Sequence, residues 1–361
     1  MTNATTVSEY PLAIREVRSL IKDLIEPNPR IYWTDFLVTI ACGQAGLWFF
    51  TGPQYPWPLR ALGYVAAVVL FYRATVFTHE LTHFREGTFR AFRVVWNALC
   101  GIPFLMPSYL YEDHRFHHVN HHYGTLDDSE YLPLGRGTKL DIAKYFLQAL
   151  FVPLFGIARF IVLTPFTWVS PPVRDWAWAR SSAVTAINWN YRRPLPTDPA
   201  EWRAARILET CCFLYGATLF SLIGVGIVPW QLLPQLYAVF VSISVINYMR
   251  TLGAHRYLSD GEPMDYRDQI LDSYTIPGQP LLTEVWAPLG MRYHALHHLV
   301  PSLPYHNLGK AHRRLVAGLP EGSAYHATIR PGLRDAIREV VRHARASQTA
   351  GNEGLNVASA S

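Results

Sequence analysis

The chain is short of charge: Asp, Glu, Lys and Arg make up only 16% of its 361 residues, against roughly 25% in an ordinary soluble domain. That scarcity argues against intrinsic disorder and against a charged coiled coil. Cysteine is also sparse. Cys42, Cys100, Cys211 and Cys212 form neither a disulfide framework nor a CxxC metal pattern, and they sit in or beside apolar runs where Cys acts as a small hydrophobe. The N-terminal MTNATTVSEYPLAIREV has no short apolar core behind a basic start, so no cleavable signal peptide is expected. No internal repeat is visible beyond a pair of hairpins.

What is plentiful is apolar and aromatic: 50% hydrophobic and 14% aromatic residues, the latter suited to membrane interfaces. Mean hydropathy is nevertheless only +0.07, so very apolar stretches must be diluted by polar ones. Ile31–Thr51 and Leu59–Thr78 are joined by a linker too short for anything but a turn. Ile207–Ile227 and Leu232–Met249 are joined by VPWQ. Each run is about 20 residues, enough to cross some 30 Å of hydrocarbon. The sequence therefore predicts an all-α integral membrane protein with two transmembrane helical hairpins, about four spans, under a helical cap. Residues 91–106 and 145–166 are read as interfacial segments or additional spans. Residues 1–30 are read as a tail with an interfacial helix around Leu12–Ile25, 321–346 as a helical segment, and 347–361 as a disordered tail.

Neither hairpin linker carries Lys or Arg. Arg15, Arg18, Lys22, Arg30, Arg85, Arg90, Arg93, Arg203, Arg206, Arg250 and Arg256 lie on the opposite side. The positive-inside rule places both termini and the segment between the hairpins in the cytosol. The formal charge of +5 is thus a matter of topology, and no nucleic-acid partner is expected.

Fifteen histidines stand beside 32 Lys and Arg, and they are clustered. His79 and His83 form HELTH. His114, His117, His118, His121 and His122 form HRFHHVNHH. His255 stands in LGAHRY, and His294, His297 and His298 form HALHH. On a helix, positions i, i+3 and i+4 share a face, and neutral imidazole suits transition metals. Eight or more such ligands are too many for one ion and imply two. His306, His312, His326 and His343 are read as surface or core residues. HELTH also matches HExxH with Glu80 as base, but a membrane zinc protease leaves both HxxHH boxes unexplained.

HxxxH, HxxHH and a final HxxHH on two hairpins resemble the membrane fatty acid desaturase superfamily, over roughly residues 30–320. YHALHHLVPSLPYHNL is similar to that family's last box, down to Pro301 and Pro304. His255 matches the lone ligand that acyl desaturases place past the last span. The second box has two frames: His114-His117-His118, with YGTLDDSEYLP downstream as in a bacterial branch, and His118-His121-His122. Carried over by position in the first frame, the resemblance implies His79, His83, His114, His117, His118, His255, His294, His297 and His298 as metal ligands. Family members often carry Asn four residues before the lone His. Here that residue is Thr251, with Asn247 a turn earlier. Carboxylates that could orient imidazoles are Glu80, Glu112, Asp113, Asp127, Asp128, Glu130, Asp272 and Glu284, each alternatively a solvated surface charge.

The resemblance implies two non-haem iron ions and O2 as co-substrate, acting on an unactivated C–H bond of a lipid acyl chain. No HPGG haem-binding stretch is present, so electrons are expected from a separate ferredoxin, rubredoxin or cytochrome. Arg115, Arg313 and Arg314 would serve as its docking face or as lipid headgroup contacts. Trp96, Tyr109, Trp286 and Tyr293 are candidate channel residues or core. The last box leans towards desaturation, with hydroxylation or ketolation as the alternative and a non-catalytic metal-binding membrane protein as a third class. The expected location is the bacterial inner membrane, with the active site cytosolic.

Overall fold

The computed structural model describes residues 14–344, except residue 86 and residues 184–187. The ends of the chain, including the predicted C-terminal tail, lie outside the described residues. Among the described residues there are helices but no strands, and the only ladder contacts are the isolated bridges His255–Ser273 and Thr275–Ile329.

A short amphipathic helix, α1 (Ile14–Ile21), buries Val17 and Ile21. The first hairpin follows: α2 (Pro29–Thr51) and α3 (Trp57–His83). Asn28 starts α2 by accepting from the Arg30 backbone N–H at 3.0 Å, with Pro29 supplying a helix-ready φ. Small residues let the two helices touch along their length. A Cβ placed on Gly63 would lie 2.6 Å from the Gly46 carbonyl oxygen, and one on Gly46 would lie 2.9 Å from the Ala67 nitrogen. Close backbone approach of this kind substitutes for hydrophobic driving force inside a bilayer.

The chain then passes through α4 (Arg90–Trp96), running into a π-helical stretch Asn97–Gly101, and α5 (His114–His117). At 12 residues together, Arg90–Gly101 is too short to span a bilayer. Next come α6 (Lys139–Gln148), α7 (Val152–Ile157), a π-helical stretch Ala158–Leu163, α8 (Thr164–Val169) and α9 (Pro171–Ser181). The second hairpin is α10 (Pro199–Gly224) and α11 (Leu232–Leu252). The C-terminal part contains α12 (Tyr266–Asp272), α13 (Pro280–Trp286), α14 (His294–Leu299), α15 (Tyr305–Gly318), α16 (Ala324–Ala327) and a last helix over 333–344.

Among the described residues, four helices are long and apolar enough to cross a membrane: Trp57–His83, Val152–Val169, Pro199–Gly224 and Leu232–Leu252. The set differs in one member from the sequence expectation. Val152–Val169, read from sequence as ambiguous, qualifies as one continuous helix of 18 residues. Helix α2 matches the others in length, at 23 residues, but Asp35 and Gln44 dilute its apolarity and it falls outside the group.

Outward faces carry Leu37, Val38, Leu62, Val65, Ile207 and Leu214. Exposed Trp48 and Trp57 flank the first linker and exposed Trp230 lies in the second, as expected of an aromatic belt at one bilayer face. The histidines occupy the other ends. His79 and His83 close α3, and His255 follows α11 by three residues. An aromatic cluster clamps this end. Tyr32 packs on Tyr305 at 4.9 Å between ring centroids, Phe36 on Phe77 at 5.5 Å and Phe77 on Phe92 at 5.8 Å.

Candidate metal centre

The structure gathers nine histidines from four elements into two adjoining groups. His79, His83, His114, His118 and His297 form one; His117, His255, His294 and His298 form the other. Within each group the ligand atoms all lie within 4.8 Å of one another. Each HxxHH box is divided between them. His114 and His118, one turn apart, face the first group while His117 faces the second; His294 and His298 face the second while His297 faces the first. The split follows from helical geometry, since i and i+4 stack while i+3 points to one side. The groups touch through His118 and His298, whose ring centroids are 4.4 Å apart.

Partners outside the cage orient several of the rings. His117 Nδ1 and the Asp128 carboxylate are 2.8 Å apart, as are His114 Nδ1 and Glu130. Asp128 is itself held by the backbone N–H groups of Gly124 and Glu130. His255 Nδ1 meets the Tyr123 hydroxyl at 2.8 Å and Ser273 Oγ at 3.2 Å, and Tyr123 donates to Asp272 at 2.8 Å. A ring donating from Nδ1 keeps its Nε2 lone pair pointing inward. At His298 the sense is reversed: the Gln269 amide nitrogen, 3.2 Å away, donates to Nδ1.

Those inward nitrogens crowd together. Nε2–Nε2 separations linking His114, His117, His118, His255, His294, His297 and His298 run from 2.8 to 3.2 Å. Both nitrogens of His79 and the inward Nε2 of His83 are buried without a hydrogen-bond partner. Burial holds His114, His118, His255, His294, His297 and His298 well below their ordinary pKa, in the neutral form. Burial also opposes charge on His117, but Asp128 outweighs it and leaves that ring raised. Neutral lone pairs converging without donors to satisfy them are an unfavourable arrangement unless cations sit between them. The residues present therefore fit two transition-metal ions.

The remaining sequence-based candidates fall elsewhere. His121 is exposed and His122 packs on Phe116, so both lie outside the two groups. Glu80 accepts from the Tyr32 hydroxyl at 2.5 Å and from the Tyr305 N–H at 3.1 Å, which ties α2, α3 and α15 together. Asp113 accepts from Tyr191 and pairs with Arg193; Glu112 pairs with Arg93 and Glu284 with Arg73. Asn247 accepts from the Arg250 guanidinium rather than facing the cage. Arg115 and Arg313 are exposed, while Arg314 is paired with Asp23 at 2.9 Å.

A cavity of about 510 Å³ reaches the cage at His79. Its walls are apolar and come from the 103–110 segment, Val152–Phe160, α10 and α11. Trp96, Tyr109, Trp286 and Tyr293, the channel residues suggested by sequence, do not line it. They are buried in the packing, with Trp96 Nε1 donating to the Ala74 carbonyl and Tyr109 to Glu209. Aromatic bulk marked them in sequence, and the same bulk makes them core. Tyr123, Gln269, Ser273 and Arg250 were not signalled as site residues by any spacing.

An all-helical membrane fold with paired histidine groups at one end defines the class. The comparisons agree. A family model for fatty acid desaturases matches residues 55–329, and the chain belongs to that family. It is 39% identical to a ceramide hydroxylase of Caulobacter vibrioides, over 95% of this chain and 96% of that protein. It is 23% identical to a chloroplastic omega-6 fatty acid desaturase of Brassica napus, over 82% of this chain and 62% of that protein. Proteins of this desaturase and hydroxylase family are oxidoreductases of lipid metabolism that use di-iron sites.

Proposed function

We propose that this protein is an O2-dependent di-iron hydroxylase of a ceramide-type lipid, an N-acylated long-chain base. The observation that carries this reading is the 39% identity to a ceramide hydroxylase across nearly the full length of both chains. It reverses the order in which the last histidine box alone ranks desaturation and hydroxylation. Desaturation remains the second reading, favoured by the more distant desaturase relative.

Two iron ions, when bound by the nine histidines, supply O2 activation with electrons from an external donor such as a ferredoxin, rubredoxin or cytochrome. The chain's own residues do the rest. Asp128, Glu130 and the Tyr123–Asp272 pair hold ligand rings in one tautomer. The apolar cavity receives the lipid chain and keeps water from the cage. The exposed Arg115, beside His114, and Arg313 offer a donor a basic landing surface. The charge pattern supports a cytosolic active site with both termini on that side, in a bacterial inner membrane.

Lipid profiling of a ceramide-producing host expressing the full chain tests the proposal. Ceramides gaining one oxygen are expected. Ceramides or fatty acids losing two hydrogens would establish desaturation instead. Purified protein should carry about two irons per chain, whereas one zinc would point to the HExxH protease.

A further inference from the structure

At the metal end of the cavity stands a buried arginine that no histidine pattern announces. Arg250 lies two residues before the end of α11, on its approach to the cage, and is 8% exposed. Its Nε and Nη2 reach Asn247 Oδ1 at 3.4 and 3.2 Å, and Nη2 reaches Thr251 Oγ1 at 3.1 Å. These acceptors are neutral, and among the described residues no carboxylate pairs with it. Glu130, the acid lining the same void, acts on Arg250 through space and is itself hydrogen-bonded to His114 and Tyr111. Arg250 lines both the cavity of about 510 Å³ and a void of about 10 Å³ bounded by His114, His117, His255 and His294.

A guanidinium is charged at any physiological pH and presents five donors in a planar fork. Buried, it meets the neutral oxygens of Asn247 and Thr251 and the Tyr72 hydroxyl, and where it borders the cavity its fork of donors can take further oxygens from a ligand. The far end of the cavity is bounded by Leu219, Phe220, Leu233 and Pro234, all without charge. Pro234 lies sixteen residues before Arg250 on the same helix, about 24 Å away at 1.5 Å rise per residue. A ligand with oxygens at one end and a long alkyl chain at the other fits this distribution in one direction only.

We propose that Arg250 binds the amide carbonyl and neighbouring hydroxyl oxygens of the lipid, with an alkyl chain laid along α11 towards Pro234. The carbons brought beside the histidine cage are then those next to the polar group, so oxidation falls within a few carbons of the amide rather than in mid-chain. The inference rests on the proposed lipid class and specifies where on that lipid the protein acts.

Competition for radiolabelled N-palmitoylsphinganine on the full-length, iron-loaded protein in detergent tests it. N-hexadecylacetamide should compete about ten- to hundredfold better than octadecane, the range for a hydrogen bond to a charged group. Arg250→Met should reduce that preference to about threefold or less with iron content unchanged, and Arg250→Lys should restore part of it. Wild-type preference in R250M overturns the proposal. So does loss of iron in both variants, which would make Arg250 a support of the cage. Product mapping separates this idea from the function it rests on. Ceramide oxygenated in mid-chain sinks the Arg250 assignment alone, whereas amide preference without any oxygenated product sinks the hydroxylase reading alone.

Discussion

At the scale of single residues, the cage is decided by what stands behind each imidazole. Asp127 and Asp128 are neighbours of identical chemistry, yet Asp127 is exposed and Asp128 is fully buried against His117 Nδ1. Asp128→Asn should cost about ten- to a hundredfold in iron affinity, the usual effect of losing a partner that orients a ligand. Asp127→Asn should leave affinity unchanged. Iron retained per chain under graded chelator measures both, and equal retention in the two variants would refute the orienting role. Helical spacing marked the histidine boxes in sequence, but the lone His255 and the frame His114-His117-His118 over His118-His121-His122 came only with the family resemblance. The partners of these rings were not marked: Asp128 could not be told from Asp127, and Tyr123, Gln269 and Ser273 reach the cage from loops and a separate helix. A second residue-level expectation concerns pH. His312 is buried against Tyr293, with Nδ1 2.7 Å from the Tyr325 hydroxyl, and burial lowers its pKa to about 4. The unfolded chain protonates near 6.5 and so binds more protons than the folded one between those values. Stability should therefore fall as pH drops from about 6.5 through 4. His312→Gln should flatten that part of a thermal-melt profile, and an unchanged slope would show that other groups carry it.

Among elements, the α2–α3 hairpin shows why composition and packing give different answers. By apolarity alone α2 drops out of the spanning set, yet Gly46 and Gly63 press it against α3 along the seam. The hairpin was legible from two runs and a short linker, but the glycine contact was not, because it depends on which helix faces meet. A Cβ at Gly63 would meet the Gly46 carbonyl oxygen at 2.6 Å, the Phe50 nitrogen at 2.8 Å and the Phe49 Cβ at 2.9 Å, none of them the free end of a flexible side chain. Gly63→Val should destabilise by about 1–3 kcal/mol, the usual range for overpacking, and lower the melting temperature in detergent. Because α3 ends in His79 and His83, iron occupancy should fall with it; a variant with wild-type melting and full iron would mean that the helices part at no cost. The helix over 152–169 was ambiguous in sequence for the opposite reason. Pro153 and Arg159 argue against a span, but Arg159 is buried and paired with Glu209 of α10, with further bonds to Ser181 and Ser182. A charge that finds its partner on another helix is tolerable in a place where sequence, read alone, prices it as unpaired.

For the molecule as a whole, the arrangement of ends matters more than the number of spans. Exposed tryptophans flank the first hairpin linker and lie in the second, neither linker has Lys or Arg, and the opposite ends carry the histidine cage and most of the arginines. If the chain crosses the membrane as this polarity implies, residues of the two linkers lie on one side and those of the C-terminal helices on the other. Gln54 is in the first linker and exposed, and Glu321 sits in the exposed turn after α15. A membrane-impermeant maleimide applied to intact cells should label Gln54→Cys and leave Glu321→Cys unlabelled until the membrane is permeabilised. Labelling of both from outside, or of Glu321→Cys alone, would reverse or dismantle the topology. It would also place the cage away from the proposed cytosolic electron donor, which ties this measurement to the proposed function. On the proposed topology, a cage on the donor's side that opens into an apolar cavity running beside α11 would let electrons and lipid reach the metal site from different directions without leaving their own phase.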